Sequence, residues 1–276
     1  MIYKILHKRV GANPTTFLEF DCQEKIVDFV SNGDSLYFLS NNHLFVVNKD
    51  KKFRPYGGFE FSYATSLDWQ FSMKRLIVAD NGGRDILGID DERIGAYRLF
   101  GLAEQNFISN LLKKLGNNLT AKIKIDSRSN LYCMVKEANR IFFNSATNSM
   151  KCLVGNGFAT YSQSMYADTS SLNFPNSIDL HDRKLFIADT GNNVIRLYNG
   201  GPLKTVIGHP LRKQVTPSQV VVTKDILYYV SNNVYTTNLV TPNHNNIPEY
   251  STNKEIIVKK CGDDSNNIYL MESYAN

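Results

Sequence analysis

"KLFIADTGNNVIRLY", residues 184–198, sets two short apolar runs on either side of a polar turn, Asp189-Thr190-Gly191-Asn192-Asn193. Short runs rich in branched and aromatic residues, bounded by Gly, Asn and Asp, predict two strands joined by a tight connection. An Asp at the end of the first strand fits two roles. It is either a ligand or catalytic group at a corner, or a carboxylate accepting hydrogen bonds from turn N–H groups. Repetition along the chain decides between them. "KLFIAD" has counterparts in "SLYFLS" (35–40), "RLIVAD" (75–80), "NLYCMV" (130–135), "ILYYVS" (226–231) and "NIYLME" (267–272). With Leu36, Leu76, Leu131, Leu185, Leu227 and Ile268 as equivalents, the spacings are 40, 55, 54, 42 and 41 residues.

Each copy has similar neighbours. About ten residues earlier lies a further β-like run: "KIVDFV", "SLDWQF", "AKIKID", "NSIDLH", "SQVVVT" and "EIIVKK". Another follows, as in "HLFVVN" or "NRIFFN", and four units then close on a strand ending in glycine: "RPYG", "YRLFG", "KCLVG" and "KTVIG". Four short strands in about 45 residues describe a β-propeller blade. The sixth unit stops after its second strand at Asn276, while "IYKIL" (2–6) and "TTFLEF" (15–20) precede the first unit without a home. Joining the two ends completes a unit of normal length and removes exposed sheet edges. The expected fold is all-β. It is a six-bladed β-propeller of four-stranded antiparallel blades in a single domain, 1–276, with residues 1–20 completing the last blade.

The segment from Leu153 to Gly208 resembles an NHL repeat. Leu172, Pro175, Leu185, Ala188, Asp189, Asn192 or Asn193, Ile195 and Arg196 match that family's pattern. "RLIVADNGGRDI" (75–86), within 65–101, is a degenerate second copy. The resemblance implies a propeller. Propellers with such repeats serve as protein-binding platforms, RNA-binding domains or sensor domains, and their relatives include lyases and hydrolases, so fold alone does not settle function.

Asp189, Asn193 and Arg196, with Asp80 in the degenerate copy, are expected to hold strands together at the blade turn, because a catalytic residue rarely needs a copy in another blade. Similarity to calcium-dependent six-bladed lactonases singles out Asn176 and Asp189 as weak calcium candidates. Calcium requires six to eight oxygens, and the tryptophan-glutamate-glycine setting of that pattern is absent around Glu19 and Glu24. His7, His43, His181, His209 and His244 neither pair at helical spacing nor recur at equivalent blade positions, which argues against zinc. His181, in "LHDRK", reads as a solvated turn residue. No G-x-S-x-G elbow or phosphate loop is present. No catalytic set, metal or cofactor is expected.

The net charge of +5 is dispersed, whereas nucleic-acid binders concentrate positive charge on one face. Arg84, Arg140, Arg196 and Arg212 leave RNA binding as an alternative that is not favoured. Cys22, Cys133, Cys152 and Cys261 are far apart without a CxxC pair and are expected to be reduced. "MIYKILHKRV" is too short and charged for a signal sequence, and no apolar run nears the roughly 18 residues of a membrane span. A cytoplasmic location, or a virion if the chain is phage-encoded, is expected.

The two long spacings interrupt the repeat. In "LAEQNFISNLLKKLGNN" (102–118), Phe107, Leu111 and Leu115 recur every four residues and predict an amphipathic helical insertion. The helix either packs on its own propeller or docks a partner. "FATYSQSMYADTSSLNF" (158–174) carries Phe158, Tyr161, Met165 and Tyr166, residue types favoured in interfaces. The leading expectation is a non-enzymatic propeller presenting surfaces to protein partners, plausible as a component of a larger assembly. Lone propellers of this composition look like those that bacteriophages encode as virion parts. The enzymatic alternative is a calcium-dependent lactonase or esterase.

Overall fold

The computed structural model describes the chain apart from residues 10–12, 94, 101–105, 146–149, 212–214, 224–225, 240–247, 251–254, 261–266 and 275–276. Its strands form six four-stranded antiparallel sheets, the blades of a six-bladed propeller. Blade 1 runs β1 (Ile26–Ser31), β2 (Leu36–Ser40), β3 (Leu44–Val47) and β4 (Phe53–Pro55). Blade 2 follows as β5 (Ser66–Gln70), β6 (Arg75–Asp80), β7 (Asp85–Ile89) and β8 (Tyr97–Phe100). Blade 3 is β9 (Ala121–Ile125), β10 (Leu131–Val135), β11 (Arg140–Asn144) and β12 (Lys151–Val154). Blade 4 is β13 (Ser177–His181), β14 (Lys184–Asp189), β15 (Val194–Tyr198) and β16 (Lys204–Gly208). Blade 5 is β17 (Gln219–Val222), β18 (Ile226–Ser231), β19 (Asn233–Asn238) and β20 (Pro248–Tyr250).

Blade 6 joins the two ends of the chain. Its strands β21 (Ile256–Lys260) and β22 (Asn267–Tyr274) are extended by β23 (Ile2–Arg9) and β24 (Thr15–Asp21) from the N-terminus. β23 pairs with β22 over eight consecutive positions, from Ile2 opposite Tyr274 to Arg9 opposite Asn267. The ring thus closes as the repeat count requires.

Apolar side chains fill the spaces between blades. Six clusters of buried residues each join one blade to the next, including Tyr3, Ile5 and Met271 of blade 6 packed on Ile26, Phe29 and Phe38 of blade 1. The second strand of each blade is covered on both sides, which is why "KLFIAD" is apolar without alternation: Leu185 through Asp189 are all buried. Each fully buried Leu, Ile or Phe stabilises the ring by about 1.5–3 kcal/mol.

Two of the glycines ending blades have a steric cause in common. Gly155 and Gly208 adopt φ +98° and +84°, and a Cβ on either would run into the carbonyl of Asn139 or Asn193 across the neighbouring strand. The helix of the first long spacing, α1 (Asn106–Leu115), lies against the core between blades 2 and 3. Leu112 is buried there, with Leu111 and Leu115 packed beside it. Arg84 donates to the carbonyls of Leu112 (3.0 Å) and Gly116 (2.6 Å), satisfying acceptors that a helix C-terminus leaves open.

Gly208→Ala is expected to lower stability by about 2 kcal/mol through strain and clash together. Gly200→Ala, at φ +92° with nothing near its added Cβ, is expected to cost about half as much. Urea unfolding midpoints of the two variants check this difference.

Candidate functional site

The first strand of each blade lines the central channel, and its channel-facing edge has no strand partner. Side chains take over that pairing. Asp28 in β1 accepts from the Leu67 N–H of β5 at 3.1 Å. Asp68 in β5 accepts from the Ile125 N–H of β9 at 2.8 Å. Asp179 in β13 accepts from the Val222 N–H of β17 at 2.7 Å, and Gln219 in β17 from the Val258 N–H of β21 at 2.9 Å. Ser66 and Ser177 do the same for Ile123 and Val220. Four of the six inner strands, β1, β5, β13 and β17, thus offer acceptors to N–H groups of the next, which would otherwise be buried unpaired.

Lysines neutralise these carboxylates. Lys259 of β21 lies 2.6 Å from Asp28, and Lys122 of β9 reaches the same carboxylate at 3.5 Å. Lys124 of β9 stands 3.5 Å from both Asp68 Oδ1 and Asp179 Oδ1. Lys260 of β21 approaches Asp179 at 3.3 Å and donates to the Leu180 carbonyl at 2.7 Å. Burial would raise the Asp28 carboxyl, but Lys122 and Lys259 outweigh it and hold it well below the carboxylate range. Burial likewise opposes ionisation of Asp179, and Lys260, Lys124 and the Val222 N–H pull it down. Burial works against the charge of Lys124, yet Asp68, Asp179 and Asp28 raise it above the ordinary lysine value. Lys259 goes the other way: burial lowers it, and Lys124 and Lys122 add to that against Asp28.

This charged layer divides the channel into two mouths. The larger, about 320 Å³, opens at the ends of the inner strands and includes Trp69, Lys124, Tyr132, Asp179 and Lys260. The smaller, about 180 Å³, opens at their starts and includes Asp28, Lys122, Asn176 and Gln219. His181 faces the larger mouth with a side chain only 10% exposed, 3.5 Å from Asp182, and does not stand in solvent as its sequence context suggests.

Asp189 lies at the other end of blade 4, wholly buried. Its Oδ1 accepts from the Asn173 N–H at 2.8 Å; its Oδ2 accepts from Asn192 at 2.8 Å and faces Arg196 at 3.5 Å. Asp80 has the corresponding arrangement in blade 2, accepting from the N–H groups of Ser62, Tyr63 and Asn81. Asn193 takes the left-handed conformation that ends the turn, φ 58°, and accepts from Thr216. Burial pushes the Asp189 carboxyl up to about 6 against the bonds from Asn173, Asn192 and Arg196. Asn176 lines the smaller mouth, where its Oδ1 accepts from the Lys136 ammonium at 2.9 Å. The two calcium candidates therefore sit in different surroundings. Among the described residues, no group of three or more His, Cys, Asp or Glu side chains is placed to hold a metal ion.

Of the loop candidates, Phe158, Met165 and Tyr166 are 70%, 74% and 66% exposed. Tyr161 turns inward, its ring 4.7 Å from the Arg196 guanidinium and its hydroxyl 3.0 Å from Thr205 Oγ1. Leu111 and Leu115 face the core, and the Phe107 side chain lies outside the described residues. Arg84, Arg140 and Arg196 all donate to backbone carbonyls, while Arg212 lies outside the described residues. Cys22, Cys133 and Cys152 are free thiols; Cys261 is outside the described residues. No described helix is long and apolar enough to cross a membrane.

The channel set is not among the residues that the motifs single out, although its signal is in the sequence. Asp28, Asp68 and Asp179 occur in the first-strand runs of three blades, and Lys122, Lys124, Lys259 and Lys260 in those of two others.

The architecture places the chain among six-bladed propellers. No protein-family model matches the chain, and no curated protein matches it. Similar solved structures include an auxiliary nutrient binding protein from Bacteroides thetaiotaomicron (TM-score 0.61, 10% identity, 77% of this chain and 58% of that one). This chain therefore spans little more than half of that protein's length. A structure from a nidogen–laminin complex matches at TM-score 0.61 and 15% identity, over 86% of this chain and 90% of that one. A putative gluconolactonase matches at TM-score 0.61 and 11% identity, over 97% and 92%. At these identities the likeness is one of fold.

Two opposed pH effects are expected. Asp28 and Asp179, held low, contribute stability that is present above the unfolded carboxylate value of about 4 and lost as pH falls below it. Asp28→Asn should flatten that acid limb in melts below pH about 4, and lower neutral-pH stability by about 3 kcal/mol by leaving Lys259 and Lys122 uncompensated. Asp189, raised to about 6, contributes stability that is present below 3.8 and lost as pH rises through about 6. Melting curves of Asp189→Asn should lack that slope.

Proposed function

We propose that this chain is a non-enzymatic propeller that presents a preformed surface to a protein partner, as one component of a larger assembly such as a virion. The observation that carries this reading is the loop 158–174. It projects three large apolar side chains, yet its backbone is tied down at several points. Asn192 donates to the Thr160 carbonyl at 2.9 Å and Arg196 to the Ser162 carbonyl at 3.1 Å. Ser162 Oγ accepts from the Ser171 N–H at 2.7 Å, and Ser170 Oγ from the Ser164 N–H at 3.0 Å. Phe158, Met165 and Tyr166 are thus held exposed on an ordered support.

Such preorganisation favours association. Less ordering entropy is lost on binding, and aromatic residues are enriched among those that dominate binding energy. The nidogen–laminin complex among the fold neighbours supports the reading by analogy. The ion pairs in the channel also support it, because carboxylates committed to lysines and backbone N–H groups are poorly placed to serve as calcium ligands.

The test compares the wild-type chain with Phe158→Ser/Met165→Ser/Tyr166→Ser as bait in extracts of the native source, with bound proteins identified by mass spectrometry. The triple variant should melt within about 0.5 kcal/mol of wild type in stability, and lose a partner that the wild type and a Leu211→Ser control both retain. Identical sets of bound proteins would overturn the surface assignment. Calorimetric calcium binding that disappears in a folded Asp189→Ala chain would favour the hydrolase alternative.

A further inference from the structure

The larger mouth of the channel combines a polar floor with an aromatic wall. On the floor, Lys124 pairs with Asp68 and Asp179, and Lys260 pairs with Asp179. These four side chains match two to two and stand apart from the set formed by Asp28, Lys122 and Lys259. Ammonium donors thus lie beside carboxylate acceptors. Such a floor suits a neutral group that both donates and accepts, and a hydroxyl is the simplest group of that kind.

One acceptor of the floor is left over. Asp179 Oδ2 is committed to the Val222 N–H at 2.7 Å and to Lys260 at 3.3 Å. Asp179 Oδ1 is buried and accepts no hydrogen bond from a described residue, with Lys124 3.5 Å away. A buried polar atom without a partner is costly, and a hydroxyl donor would relieve it. The wall is fixed in place. Trp69 stacks on Tyr37 (5.7 Å, 10°), and Tyr132 meets Phe143 edge-on (5.0 Å, 62°); both line the mouth and are partly exposed. Aromatic faces carry negative charge density, which attracts the C–H hydrogens of an aliphatic ring. The volume, about 320 Å³, is at the small end of ligand-binding cavities.

We propose that this mouth binds a neutral pyranose, one monosaccharide unit. Its C–H face rests on Trp69 and Tyr132. One hydroxyl accepts from Lys260. A neighbouring hydroxyl donates to Asp179 Oδ1 as Lys124 turns from that oxygen to the ligand. An open-chain polyol supplies the hydroxyls without the flat C–H face, and a sugar acid adds a charge to a floor whose own charges are already paired. The site lies at the opposite end of the channel from Asn176 and is independent of the loop surface at 158–174.

Trp69 is the single tryptophan of the chain, so its fluorescence reports directly on this mouth. Titration of the wild-type chain with glucose, galactose and mannose should give a saturable change with at least one of them. Calorimetry should agree. Sorbitol and glucuronate should bind at least about tenfold more weakly than that sugar. Tyr132→Ala should weaken sugar binding at least about tenfold, Tyr132→Phe should retain it, and Glu255→Gln at the other mouth should leave it unchanged. No saturable response to any of the three sugars, or an equal response to sorbitol or glucuronate, would overturn the proposal. That wild-type comparison stands even where a Tyr132 variant fails to fold.

Discussion

Every blade of a propeller presents an inner strand whose channel-facing edge has no neighbouring strand to pair with. Six such edges face the channel. A buried N–H there needs an acceptor, and at four of the six junctions a side chain of the preceding blade supplies it. Asp28, Asp68, Asp179, Gln219, Ser66 and Ser177 do so, each reaching one blade forward. The choice of Asp at three of these positions has a consequence. A buried carboxylate is costly unless it is paired, and the lysines of β9 and β21 follow from that requirement. The charged channel is thus a by-product of edge satisfaction, and its division into two mouths follows from where the ion pairs fall.

The ring itself was legible because its elements are local and repeated. Four strands per unit, glycine at the blade end and a truncated sixth unit all appear as patterns within about 45 residues. Closure was legible for the same reason, since the two orphan strands at the start complete the missing half of blade 6. At Gly155 and Gly208 the glycine ending reflects a clash with the backbone of the neighbouring strand, at Asn139 and Asn193. The helix at Asn106–Leu115 was also legible as a helix, but amphipathicity alone cannot say which apolar surface it meets. The core between blades 2 and 3 takes Leu112, and the sequence held no sign of that cluster as its neighbour.

The site was less legible. A search for histidine sets and calcium oxygens looks for residue types that cluster in sequence or carry a known motif. Here the pairs come from different blades: Lys122 with Asp28, Lys260 with Asp179, Lys259 with Asp28. No window of the chain contains both members. What could be seen was one charged residue in an otherwise apolar first strand, as in "KIVDFV" and "NSIDLH", recurring across blades. His181 shows the same limit, since the turn that predicts exposure is folded back over the channel mouth.

The two ends of the channel differ in construction. At the end where the inner strands start, blade 4 commits Asp189, Asn192 and Arg196 to holding a long loop in place. Arg196 is fully buried, and its guanidinium faces the Asp189 carboxylate, the Ser162 carbonyl and the Tyr161 ring together. A buried cation is costly unless it is paired and hydrogen-bonded, and Asp189 and the Ser162 carbonyl meet that need for Arg196. The Asp189 turn of blade 4 is also tied to the loop before it, through Asn173, Thr160 and Ser162. Blade 2 shows the converse. Its Asp80 ties down only Ser62, Tyr63 and Asn81, the position equivalent to Arg196 is Leu87, and its connection from blade 1 is short.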